Sequence, residues 1–177
     1  MNRKQKIIRN TILLIAFSFL LFTRSYLYLD PLAAHKASER SIHYGPSEVL
    51  HVESFPGGKY YLGKYEQWIS CNTVNRALGI FWRFGSQVTG IEVNEEKPIS
   101  YTWSSSDNRK KVYGIVNDKS IDRLEVYLTE GIVLTQEKFY GDMFLLTWES
   151  EGEFQKIVSY DRLGAVVFEE ESIEYRP

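Results

Sequence analysis

Residues 123–129 read RLEVYLT, and their alternation decides the fold class. Leu124, Val126 and Leu128 fall on one side of an extended chain, with Arg123, Glu125, Tyr127 and Thr129 on the other, the period of a strand with one wet face. Ile99, Tyr101 and Trp103 alternate with Ser100, Thr102 and Ser104 in the same way. Residues 143–146 (MFLL) and 165–168 (AVVF) are apolar on both faces, as expected of central strands. Turn chemistry recurs between such runs, at Pro56-Gly57-Gly58-Lys59, residues 104–109, Asn117-Asp118-Lys119, Glu130-Gly131, residues 150–153 and residues 161–164. The pattern predicts an all-β domain, an antiparallel β-sandwich or curled sheet of about eight strands joined mostly as hairpins. Residues 74–82 also fit a helical stripe through Val74, Leu78, Phe81 and Trp82, but Gly79 and Gly85 among β-branched and aromatic residues point to strands.

The N-terminus has a different character. Residues 11–22 are apolar apart from Thr11 and Ser18, they follow Arg3, Lys4, Lys6 and Arg9, and no acidic residue precedes Asp30. Extended to Leu29 the run has 19 residues, roughly 28 Å of helix against a hydrocarbon thickness of about 30 Å. The apolar side chains favour insertion by roughly 3 to 5 kcal/mol, and Arg24 near the outer end opposes it by less than the about 2.5 to 3.5 kcal/mol of a central arginine, because its stem can snorkel. The charge asymmetry keeps the basic end cytoplasmic and sends the rest of the chain outward, with Tyr26 and Tyr28 at the outer interface. A basic segment and short apolar core also describe a cleaved signal peptide, which would leave a secreted product, but Thr23-Arg24-Ser25 is a poor cleavage site. The expected organisation is a cytoplasmic tail (residues 1–10), a transmembrane helix (11–29), a linker (30–46) bracketed by Asp30-Pro31 and Gly45-Pro46, in which Ala33 to Arg40 could form a short helix with no apolar face to bury, and an extracytoplasmic β domain (47–177).

Five of the 21 basic residues lie before Asp30 and all 23 acidic residues lie from Asp30 onward, so the remainder carries a net charge of −7. Such a surface is a poor partner for nucleic acid, for anionic lipid or for anionic wall polymers. Cys71 is the one cysteine, so no intrachain disulfide can form and stability must come from the core.

Four short segments carry a resemblance: Gly57-Gly58-Lys59-Tyr60-Tyr61, residues 78–85 (LGIFWRFG), residues 112–118 (VYGIVND) and residues 157–164 (IVSYDRLG). In this succession the chain resembles uncharacterised membrane-tethered extracytoplasmic proteins of Gram-positive bacteria. The resemblance implies an extracytoplasmic β domain and carries over no catalytic or binding residue.

Candidate chemistry is sparse. Cys71 with His51 as its base would suit a cysteine transpeptidase such as a sortase, but the preceding run, Gln67-Trp68-Ile69-Ser70, lacks the sortase pattern, and a buried structural cysteine explains it as well. His35, His43 and His51 recur at intervals of eight, too far apart for the close ligand pairs of a zinc site. Glu169, Glu170 and Glu171 alternate along a strand and so do not converge on one cation. Asn117-Asp118-Lys119 is first a turn. No Gly-x-Ser-x-Gly elbow occurs, and Gly85-Ser86 lacks its flanks. No pair of carboxylates stands out as a glycosidase dyad, and nothing calls for a cofactor or metal.

Aromatic residues make up 15% of the chain, and Tyr60, Tyr61, Tyr65 and Trp68 fall within nine residues. On a strand Tyr61 and Tyr65 share a face with Gly63 between them, a shallow recess flanked by Lys59 and Lys64. Exposed aromatic surface of this kind binds peptide, sugar or protein partners, whereas the same rings in the core only fill it. The expectation is a non-enzymatic binding or accessory protein of the cell envelope, with Tyr61, Tyr65, Lys59 and Lys64 as binding residues. The alternative is an envelope hydrolase or transferase with dispersed active-site residues.

Overall fold

The alternating stretch at residues 123–129 forms the greater part of a strand, Ile121–Leu128, in the larger of the two units into which the chain divides. The computed structural model describes residues 2–24, 26–85, 90–106, 109–149 and 152–172, with the backbone alone for 19–24. Among these residues there are two α-helices and twelve strands, antiparallel throughout, in three sheets. In order they are α1 (Arg3–Arg24), α2 (Pro31–Ser41), β1 (Glu48–Phe55), β2 (Gly58–Tyr65), β3 (Trp68–Ala77), β4 (Phe81–Phe84), β5 (Ile91–Glu92), β6 (Ile99–Ser106), β7 (Arg109–Val116), β8 (Ile121–Leu128), β9 (Val133–Gln136), β10 (Met143–Glu149), β11 (Phe154–Asp161) and β12 (Val166–Glu171).

The larger unit comprises residues 47–52, 61–71 and 89–177. It holds a three-stranded sheet, β10-β7-β6, and a four-stranded one, β12-β11-β8-β9. One core joins them: Ile99, Val112, Val116, Phe144, Leu146 and Trp148 from the first sheet meet Leu124, Val126, Leu128, Phe154 and Ile157 from the second. Leu124, Val126 and Leu128 of β8 and Ile99 of β6 are inward positions that the alternation assigns. Strand β7 is buried from Lys110 to Val116, as the middle strand of its sheet. At its centre Gly114 admits no side chain, because a methyl group there would collide with the Ser100 carbonyl and the Phe144 ring.

The smaller unit comprises residues 1–46, 53–60 and 72–88. Its strand β4 pairs with β3 from Val74↔Phe84 to Ala77↔Phe81, so residues 74–82 are a hairpin and not a helix. A further backbone pair, Tyr28 with Trp82, adds the segment leaving α1 to the free edge of β4, with N···O distances of 2.8 and 2.7 Å. Of the twelve strands β4, β5 and β9 are only two to four residues long, too short to show a period, and the other nine are close to the expected number of about eight.

Two expectations are corrected. Helix α1 starts at Arg3 and stops at Arg24, so Tyr26 to Leu29 are not helical; Tyr28 spends its backbone groups on Trp82, and the Tyr26 ring meets Phe84 edge-on at 5.8 Å. Among the described residues no helix is long and apolar enough to cross a membrane; the uninterrupted run at 11–22 spans about 18 Å at about 1.5 Å per residue. Residues 30–46 are not a linker throughout. Asp30 caps α2 by accepting from Ala33 N at 2.9 Å, Pro31 opens its first turn, and Ala34, His35, Ala37, Ser38 and Glu39 are buried. That buried face is built from small and polar residues, so no apolar stripe announced it.

Tyr61 is 4% exposed, on a strand with neighbours on both sides. Tyr61→Ala is therefore expected to lower unfolding free energy by about 3 to 5 kcal/mol, and the half-buried Tyr65 to cost less when truncated. Chemical denaturation of the two variants measures the difference; a Tyr61→Ala protein as stable as wild type would contradict the core placement.

Candidate functional site

The outer face of the β12-β11-β8-β9 sheet collects the densest set of functional side chains in the larger unit. Alternation sends Arg123, Glu125 and Tyr127 outward from β8, while β11 contributes Lys156, Val158 and Tyr160 opposite them, in the register Tyr127↔Lys156, Glu125↔Val158 and Arg123↔Tyr160. A register shift between Phe154 and Lys156 puts Phe154 into the core and turns Lys156 out.

The face is tied together by polar contacts. The Tyr127 hydroxyl donates to Glu125 Oε2 at 2.6 Å, which leaves its oxygen to accept from the Tyr160 hydroxyl 3.2 Å away. The Arg123 guanidinium lies over the Tyr160 ring at 4.5 Å and 3.3 Å from Glu125 Oε1. The Lys156 ammonium sits 5.0 Å from the Tyr127 ring centre and pairs with Glu169 from β12. Val158, buried, forms the floor. The hydrogen bond to Glu125, and then the one to Tyr160, push the Tyr127 phenol above its ordinary range; the bond to Glu169 does the same for Lys156. Both groups stay protonated at neutral pH, so the face presents fixed donors, two aromatic rings and two cations.

A second feature of the same unit is an open polar cleft of about 380 Å³ between the ends of β5, β6 and β12. Tyr101 and Glu170 share a hydrogen bond there, Lys97 Nζ stands 3.8 Å from Glu170, and burial followed by the Glu170 charge raises the Tyr101 phenol. Asn117 Nδ2 donates to the carbonyls of Asn94 and Lys97 at 2.9 and 2.8 Å and so shapes the rim. That is a structural role. Asp118 accepts from Ser120 N at 2.8 Å and Lys119 pairs with Asp142 at 2.7 Å, so Asn117-Asp118-Lys119 is the turn its composition predicts.

The smaller unit contains a buried polar trio. Asn72 Nδ2 donates to His35 Nδ1 at 3.0 Å, which makes Nε2 the protonated nitrogen of a neutral ring, 3.3 Å from Glu39 Oε1. Burial holds the imidazole below its ordinary range; Glu39 opposes the shift and Lys36 adds to it.

The residues singled out in sequence are distributed as follows. Tyr61 is buried, Tyr65 half-buried and Lys64 exposed, all in the larger unit, while Lys59 belongs to the smaller one and donates to Ser54 Oγ at 2.8 Å. The space beside Gly63 is taken by Ser47 and Glu48, whose atoms come within 3.0 Å of where a Cβ would stand. Cys71 is buried with its carbonyl accepting from Lys111 Nζ at 2.5 Å, and His51 is stacked on Tyr140 at 3.6 Å. His43 occupies a turn with φ of 59°. Among the described residues no three His, Cys, Asp or Glu side chains gather closely enough to hold a metal ion. Glu169 and Glu170 take different partners, Lys156 for one and Lys97 and Tyr101 for the other. Ser25 and Ser86 lie outside the described residues. The Tyr127 and Tyr160 pairing was missed because the two residues are 33 positions apart; the alternation of β8 and the turn at residues 161–164 were visible, but the register between β8 and β11 was not.

No family model matches the chain, and neither a curated protein nor a solved structure shows significant similarity to it.

The buried His35 has a pH consequence. Its folded-state pKa lies below the unfolded value of about 6.5, so the unfolded chain binds more protons as pH falls and stability declines below that value. The thermal midpoint is expected to fall from pH 7.5 toward pH 5, and His35→Gln to flatten that part of the curve. An unchanged slope in the variant would show that other groups govern it.

Proposed function

We propose that this chain is a membrane-attached, extracytoplasmic protein of the cell envelope that binds another envelope component and does no chemistry on it. The observation that carries the reading is α1. Ile7, Ile8, Ile12, Leu13, Leu14, Ile15 and Phe17 are each between 58% and 66% exposed, and they lie on every side of the helix. An apolar helix with no wet face has no stable place in water and is at home in lipid. Arg3, Lys4, Lys6 and Arg9 at its start, without an acidic residue before Asp30, favour a cytoplasmic N-terminus. Arg9 stands at the start of the run, where its stem can snorkel to the headgroups, so that the apolar part of α1 is held in lipid.

The Tyr127 and Tyr160 face supplies the binding surface in this reading. Its rings and donors are already held in place, so a sugar or peptide partner would meet little ordering cost there. The test uses a photo-crosslinking residue in place of Val133, which is exposed and directly across from Tyr127 on β9. In intact membranes it is expected to give a discrete adduct with an envelope component, and Tyr127→Ala with Tyr160→Ala to remove it while the thermal midpoint moves by only a few degrees. An adduct that survives both substitutions would place the partner elsewhere. Full extraction of the unmodified protein by alkaline carbonate would defeat the integral attachment through α1.

A further inference from the structure

We propose that the β3–β4 hairpin tip, Leu78-Gly79-Ile80, is a second membrane contact, which together with Leu29 seats the smaller unit on an anionic bilayer surface. The inference rests on the membrane attachment of α1 and adds a site to it.

Three observations meet at the tip. Leu78 is 80% exposed and Ile80 67% exposed, with Leu29 at 70% on the segment that leaves α1. The backbone pair between Tyr28 and Trp82 runs this segment antiparallel to β4, so Leu29 lies level with Phe81, one residue from Ile80. Exposed apolar side chains thus recur within one unit, on α1 up to Phe17, at Tyr26 and Leu29, and at the tip. A single exposed leucine needs no explanation, but several gathered in one unit do.

Backbone conformation adds a second argument. Leu78 has φ of +48° and is followed by Gly79 at +80°. Positive φ at such a position is taken by Asn, Asp or Gly at little cost, whereas a leucine there is strained. Neither conformation nor solvation accounts for leucine at this point; insertion of its side chain among acyl chains does.

Charge identifies the kind of membrane. Between Glu66 and Glu92 there is no acidic residue, and the charged residues of the hairpin are Arg76 and Arg83. Both are exposed, and the Arg76 guanidinium lies over the Trp82 ring at 5.3 Å. Apolar tip, aromatic shoulder and flanking arginines reproduce, on a hairpin, the order of groups met on going from acyl chains through the interface to the anionic headgroups. The acidic remainder of the chain would be repelled by the same surface, so the contact is confined to the basic hairpin.

The experiment places an environment-sensitive dye on single cysteines in full-length Cys71→Ser protein reconstituted into vesicles. The positions are Ile80→Cys at the tip, Leu14→Cys in α1 and Leu163→Cys, in a turn of the larger unit and 92% exposed. With a nitroxide quencher on the lipid headgroups, the dye at 80 is expected to be quenched several-fold more than the dye at 163. The excess should be larger in vesicles with about 30 mol% phosphatidylglycerol than in neutral phosphatidylcholine, and should shrink with added salt. Arg76→Gln combined with Arg83→Gln should remove the lipid-charge dependence. Equal quenching at 80 and 163, with the dye at 14 buried in lipid, would overturn the hairpin contact and leave the α1 attachment standing. A dye at 14 that stays in water would overturn both.

Discussion

The larger unit depends on burying β7 completely, and on the two lysines that make this difficult. Lys110 and Lys111 are adjacent on the strand and point to opposite faces, yet both are buried. A buried ammonium is tolerated only where fixed acceptors replace water. Lys110 Nζ finds the Gly152 carbonyl at 2.9 Å and Glu153 Oε1 at 2.6 Å, and Lys111 Nζ finds the Cys71 carbonyl. Trp148 Nε1 donates to the same Gly152 carbonyl at 3.1 Å. The connection between β10 and β11 and the end of the 61–71 segment are therefore positioned by the needs of one strand. Gly114 makes the complementary demand at the strand's centre, where only a hydrogen leaves room for Phe144.

Polar burial also organises the smaller unit. Helix α2 turns His35, Ser38 and Glu39 inward along with two alanines, and Asn72 of β3 meets the imidazole. Hydrophobic burial is non-directional, but a donor that must find an acceptor fixes rotation and height, so this helix is placed by a hydrogen bond more than by area. The arrangement also explains why α2 was hard to read. Periodicity detects large apolar side chains, and residues 31–41 bury none.

The strands were legible wherever one face is wet. In β8 the alternation named the core residues correctly, while in β6 it holds for Ile99 but not for the exposed Trp103. The apolar run at 143–146 is buried on both faces although β10 is an edge strand of its sheet, and the run at 165–168 belongs to another edge strand, β12, where Val166 is exposed. Glycines at 79 and 164 marked hairpin turns with positive φ. The aromatic cluster at 60–65 was read for composition, and composition does not say which face a neighbouring strand covers. Tyr60 and Tyr61 point to opposite faces of β2 and both are buried, as is Leu62, so neither face is open there. The tyrosines that do meet near the surface, Tyr127 and Tyr160, come from segments that look ordinary one at a time. Their conjunction is a property of register, and a one-residue slip of β11 would turn Tyr160 into the core.

The distribution of charge joins the two ends of the functional reading. Before Asp30 the chain carries only cations, and from Glu66 to Glu92 it carries only arginines between the two glutamates; elsewhere acidic residues prevail. Stability does not require such a partition, since isolated surface charges contribute little whichever sign they have. Electrostatic orientation at a charged surface does require it, because a long-range field acts on the sum of charges and sorts a molecule's basic face from its acidic one. The basic segments also expose leucines and isoleucines: Ile7 to Phe17 on α1, and Leu78 and Ile80 on the hairpin. At these two places the charged side chains nearest in the chain are arginines and lysines, so apolar insertion and attraction to anionic headgroups act on the same segments.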